Sequence, residues 1–153
     1  MKKMLVILLY LSSNSVIGQS TDLTQNTHTK FNIYADVSSW LVFNQSTISI
    51  ERKIFTARDK ISLYIKGGLG GVIIFYGTEG WGPLGGFTML FGRGNNHLET
   101  AIGINYILAG PDIDANLIPM IDAGYRYQKP EGGLIFRAKA GIMGLGFGFG
   151  YAF

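Results

Sequence analysis

Small and large residues alternate without a break over 144–153, and segments of strand length with the same two-residue period fill the chain from Phe31 onward. No segment sustains a helical period. Together these features predict an all-β fold, an eight-stranded antiparallel up-and-down barrel. On an extended strand successive side chains point to opposite faces. The last segment therefore places Leu145, Phe147, Phe149, Tyr151 and Phe153 on one face, and four glycines and Ala152 on the other. A greasy face opposite a bare one suits a membrane barrel, whose outside meets lipid and whose narrow inside has little room. The expected fold is thus a transmembrane β-barrel, with Leu145, Phe147, Phe149 and Tyr151 facing lipid.

Composition agrees. The 153 residues fit one domain, 47% of them hydrophobic and only 15% charged, against about 25% charged in an ordinary soluble domain. Glycine occurs 22 times, about twice its usual share. Aromatics make up 13%, which argues against a disordered chain. Cysteine is absent, so no disulfide or thiolate takes part.

The N-terminus reads as a secretory leader. Lys2 and Lys3 precede an apolar run from Met4 to Leu11, followed by Ser12, Ser13, Asn14, Ser15 and Val16-Ile17-Gly18. The run is too short for a spanning helix, which needs ~20 residues. A signal peptide over 1–18, cleaved after Gly18, is expected. Its loss lowers the formal charge from +3 to +1, so basicity is no argument for a nucleic-acid partner. Residues 19–30 are polar but for Leu23 and read as a flexible periplasmic lead-in, leaving 31–153 as the barrel.

Within the barrel the first segment runs from Phe31 to about Leu41, with Phe31, Ile33, Ala35 and Val37 opposite Asn32, Tyr34, Asp36 and Ser38. A polar break at Asn44-Gln45-Ser46 precedes the second, about Thr47 to Phe55, in which Ile48 and Ile50 oppose Ser49, Glu51 and Lys53. After a charged turn at 56–59, the third starts at Lys60, with Tyr64 and Lys66 on its inner face. Gly67-Gly68 and Gly70-Gly71 suggest a bend or bulge there. Residues 77–82 read as a loop before the fourth segment, about Leu84 to Phe91. A strong turn signal at 92–96 leads to the fifth, His97 to Leu108, with Glu99, Ala101, Gly103 and Asn105 inside. An acidic loop over 109–116 precedes the sixth, about Leu117 to Gln128, and a turn at 129–132 precedes the seventh, Gly133 to Ile142. A hairpin at about Ile142 to Gly144 joins it to the eighth. An even count suits a single-chain bacterial barrel with both ends in the periplasm.

The inward register collects ions: the acids Asp36, Glu51, Glu99 and Asp122, and the bases Lys53, Lys66, Arg126, Arg137 and Lys139. One buried charge alone is very costly, but together they can pair. A lumen of eight strands is only wide enough for side chains or one small ligand. The expectation is a structural plug of ion pairs built from Glu51, Lys66, Glu99, Asp122, Arg126, Arg137 and Lys139, with a polar conduit or binding site as the sharper alternative. No catalytic, cofactor-binding or metal-ligating constellation stands out. His28 and His97 have no ligand partner at useful spacing. His97 and Glu99 share a face, as a lipid hydrolase might require, but no serine lies beside them in sequence.

The terminal aromatic strand ending in Phe153 resembles the C-terminal signal read by the barrel-assembly machinery of the outer membrane. Asp122-Ala-Gly-Tyr-Arg-Tyr-Gln128 and Gly132-Gly-Leu-Ile-Phe-Arg137 resemble a family of small outer-membrane barrels of Bacteroidetes-type bacteria. Leu90-Phe-Gly-Arg-Gly-Asn-Asn-His-Leu-Glu99 resembles that family's central hairpin, and Tyr34 with Ile50-Glu-Arg-Lys53 its first. The resemblance implies a fold rather than an activity, so it transfers no catalytic residue. The expected role is structural or interactive at the outer membrane, with lipid and the assembly machinery as partners, no cofactor and no nucleic acid. A lipid- or lipopolysaccharide-modifying enzyme, a narrow solute pore and a soluble barrel binding a greasy ligand remain as alternatives.

Overall fold

Alternation carried through eight segments lets each strand pair with the next, and the sheet closes when the first meets the last. The computed structural model describes residues 31–40, 43–57, 60–74, 78–108 and 116–153. The expected leader and lead-in lie outside these residues. The strands are β1 (Phe31–Trp40), β2 (Phe43–Ala57), β3 (Ile61–Ile74), β4 (Thr78–Phe91), β5 (Asn96–Ile107), β6 (Asn116–Gln128), β7 (Gly133–Gly141) and β8 (Gly144–Ala152). All neighbouring pairs are antiparallel, and β1 pairs with both β2 and β8 to form a closed barrel. Next to that seam, Phe153 donates its N–H to the Phe31 carbonyl at 2.8 Å.

Strands β2/β3, β4/β5 and β6/β7 are joined at the end that holds Phe31 and Phe153, here the terminal end. The other four hairpins are joined at the far end. Glycines carry the tight connections where φ is positive: Gly92 and Gly94 after β4, Gly132 and Gly133 at the entry to β7, and Gly144 at the last hairpin.

Three expectations are corrected. Asn44-Gln45-Ser46 is no break, because β2 begins at Phe43 and its ladder with β1 starts at Trp40↔Phe43. Gln45 and Thr47 simply continue the inward register as buried polar residues. The loop expected over 77–82 is largely strand, since Thr78 to Gly82 pair with Ile74 to Gly70. The glycines of β3 make no bulge: Gly67, Gly68, Gly70 and Gly71 keep an unbroken ladder with β4. They are there for closeness. A Cβ on inward Gly68 would sit 2.9 Å from the Ser49 Cα, so a tightly curved wall leaves no room for a side chain. The register shift lies instead in β2, between Lys53 and Phe55.

The same crowding explains the bare face of β8. A Cβ on Gly148 would collide with the Asp36 carboxylate and lie 3.0 Å from the Ala35 carbonyl oxygen. Gly148→Val is therefore expected to lower stability by about 1–3 kcal/mol, as overpacking does, when unfolding by denaturant is followed in detergent. An unchanged midpoint would show that β1 and β8 can part without cost.

The wall is inverted relative to a soluble domain. Leu134 is 75% exposed and Phe149 68%, while Arg126 and Glu51 are at 0%. Leu145, Phe147, Tyr151 and Phe153 are exposed too. Outward aromatics gather at both rims: Phe31, Phe55, Tyr151 and Phe153 toward the terminal end, and Trp40, Phe43, Trp81 and Tyr106 toward the far end. Between them the face is apolar, with Ile48, Ile65, Phe87, Ile102 and Ile121 exposed.

Candidate functional site

The inward register converges on a charged layer in the middle of the barrel. Alternation supplies one inward residue in two, and the register decides which of them meet. Glu51 of β2 takes both Nη1 and Nη2 of Arg126, from β6 across the lumen, on one oxygen at 2.9 Å. The Tyr34 hydroxyl donates to its other oxygen at 2.7 Å. Asn32 adds a longer bond at 3.3 Å, and Gln128 in turn donates to Asn32 at 3.1 Å.

Arg137 of β7 forms the second node. Its Nε donates to Glu99 Oε2 at 3.0 Å and its Nη2 to Glu99 Oε1, a two-pronged grip on one carboxylate. Its Nη1 donates to both oxygens of Asp36, at 3.0 and 2.7 Å. The guanidinium also lies 4.0 Å from the centre of the Tyr34 ring, whose face attracts a cation. Arg126 approaches Glu99 at 3.6 Å, and Lys139 spans Asp36 at 3.7 Å and Asp122 at 3.5 Å.

These contacts form one chain of alternating sign: Glu51, Arg126, Glu99, Arg137, Asp36, Lys139, Asp122. It ties β1, β2, β5, β6 and β7 together through the interior. Apolar side chains flank it, Leu90 and Ile135 toward the terminal end and Val72, Leu84, Ile107 and Met120 toward the far end. The layer is buried, and there Coulomb attraction is stronger than in water and an unpaired ion is expensive.

Six of the seven residues expected in the plug meet in this chain. Lys66 does not: it is buried, yet makes no ion pair within 4.0 Å among the described residues. It stands across the ladder from Glu51, and with it the buried acids Asp36, Glu51, Glu99 and Asp122 are matched in number by Lys66, Arg126, Arg137 and Lys139. Lys66 thus balances the layer's charge at a distance. Asp36, inward by register, turns out to be a hub between Arg137 and Lys139. Only its place in the alternation could have indicated that. Lys53 points inward but stops at the terminal mouth, half-buried, its ammonium 5.6 Å from the centre of the Tyr64 ring.

His97 is held at the same mouth, with Nε2 3.3 Å from the Gln128 carbonyl oxygen. Ser62 lines that mouth too, but its hydroxyl lies 3.4 Å from that of Thr56. Among the described residues no hydrogen bond joins His97 to a serine hydroxyl, the contact a nucleophile and its base require. Among them no group of three or more His, Asp or Glu is placed to hold a metal ion. No protein-family model matches the chain, and neither does any curated protein sequence.

Proposed function

We propose that this chain is an outer-membrane β-barrel whose role is structural or interactive, with a lumen plugged by ion pairs. The inversion of the wall carries the reading. Soluble monomers rarely expose contiguous apolar patches beyond a few hundred Å². Here apolar side chains cover the outside all round while four acids and four bases are withdrawn to the centre. Water would penalise both choices, and lipid penalises neither.

Dimensions and rims support the same reading. The ten residues of β1, tilted as in such barrels, rise roughly 23 Å, close to the ~25 Å apolar band of outer-membrane proteins. Aromatics at the two rims suit the two bilayer interfaces. The leader-like 1–18 segment would export the chain, and the terminal strand with Phe153 would engage the assembly machinery. The terminal end would then face the periplasm. The local resemblances to small Bacteroidetes-type barrels point to the same class. A layer of paired charges across the middle favours a scaffold or surface role over conduction.

Cell fractionation with gel mobility tests this. The protein is expected to sediment with outer membranes, to resist salt and carbonate washing, to come away in detergent, and to run faster unboiled than boiled. Release into the soluble fraction without detergent would overturn the proposal.

A further inference from the structure

We propose that the pocket at the terminal mouth of the barrel is a binding site for a phosphate-class oxyanion. The pocket has a volume of about 60 Å³ and is lined by Lys53, Arg93 and Lys129 with the hydroxyls of Thr56 and Ser62. Among the described residues no carboxylate lines it. Among the described residues none of these three cations is in an ion pair. The nearest acids inward, Glu51 and Glu99, are already held by Arg126 and Arg137. Three cations around one small concavity repel each other, and an anion with several acceptor oxygens relieves that repulsion. The space suits one small tetrahedral anion, since a single water takes about 30 Å³.

Backbone irregularity at this place supports the site. The register shift in β2 leaves Ile54 as an extra residue between Lys53↔Tyr64 and Phe55↔Leu63. Lys53 faces inward before the shift, and Thr56 lines the pocket after it, whereas an unbroken strand would turn Thr56 outward. A bulge that re-aims a side chain is a feature of working sites in sheets. On the opposite wall, the His97 bond to the Gln128 carbonyl ties the start of β5 to the end of β6. Arg93 and Lys129 extend from the turns that follow β4 and β6. Strand β2 and two separate turns thus deliver the basic groups to one pocket.

The same chemistry is available from free phosphate and from a lipid headgroup, so the test has two arms. The protein folded in nonionic detergent is titrated with inorganic phosphate against chloride of equal ionic strength, and separately with the same micelles doped with phosphatidate. Binding is read by calorimetry and by ³¹P line broadening. The Lys53→Gln/Arg93→Gln variant runs alongside, with its fold checked by gel mobility. Saturable binding is expected in at least one arm, weakened tenfold or more in the variant. Binding of phosphate alone would identify a soluble anion, and binding of phosphatidate alone a headgroup. General salting-out by phosphate affects both proteins equally, so the comparison removes it. Absence of saturable binding in both arms, or equal binding by the folded variant, would overturn the assignment. Neither arm depends on whether the barrel spans a membrane. Should the variant misfold, Arg93→Gln alone, at an exposed turn, serves the same comparison.

Discussion

Arg137→Met is expected to lower the unfolding free energy of the barrel by about 3–5 kcal/mol, the cost of removing one partner from a buried ion pair. Arg137 grips Glu99 through Nε and Nη2 and Asp36 through Nη1. Its loss strands two buried carboxylates, Glu99 and Asp36. Methionine fills much of the vacated volume, so the loss reports mainly on charge rather than on a cavity. Arg137→Lys keeps the charge, but a single ammonium cannot hold the Glu99 fork and both Asp36 oxygens together. An intermediate loss is expected there. Denaturant unfolding in vesicles, followed by Trp40 and Trp81 fluorescence, measures both. A change below about 0.5 kcal/mol in Arg137→Met, the range of ordinary surface substitutions, would show that the charge chain does not hold the strands together.

Phe147→Arg is expected to destabilise the bilayer-inserted protein by about 2–4 kcal/mol, the cost of a cation on the lipid face of a barrel near the midplane. Phe147 is 56% exposed near the middle of β8, paired with Val37 and Ala138, which are also outward. If that face met water, the same change would lie within about ±0.5 kcal/mol, because no described hydrogen bond or ion pair involves Phe147. Reversible unfolding in thin phosphatidylcholine vesicles separates the two outcomes. Phe147→Leu, expected to cost much less, controls for lost packing.

Much of the barrel was legible in the sequence because a period of two is a local property. The facing of Leu98 to Asn105, of Ile121 to Gln128 and of Leu134 to Gly141 follows from alternation alone, and the structure shows that facing. Strand ends were less legible. Asn44-Gln45-Ser46 and Thr78 to Gly82 carry polar and glycine residues that suit turns, yet both stretches are strand. Cross-strand pairing overrode local preference at these places. Gly67 to Gly71 misled for a related reason. Glycine there answers to a neighbouring backbone, which the sequence does not name, rather than to a bulge.

The candidate site divides the same way. That Glu51, Glu99, Asp122, Arg126, Arg137 and Lys139 share the interior follows from their register positions. Which ion meets which does not, because the partners come from β1, β2, β5, β6 and β7 and sit far apart in sequence, Asp36 and Arg137 by 101 residues. Nor could the sequence show that Lys66 would stand outside the chain of contacts, or that Asp36 would join two bases.

By itself, then, the sequence determined an all-β chain with one apolar and one ion-bearing face, since each strand's facing depends only on residues two apart. Tertiary structure alone decided the closure of β1 on β8, the order of charges across the lumen and the shift at Ile54 that turns Thr56 toward Lys53. Those depend on how far each strand slides past its neighbour, which is decided by the fit of the whole closed wall.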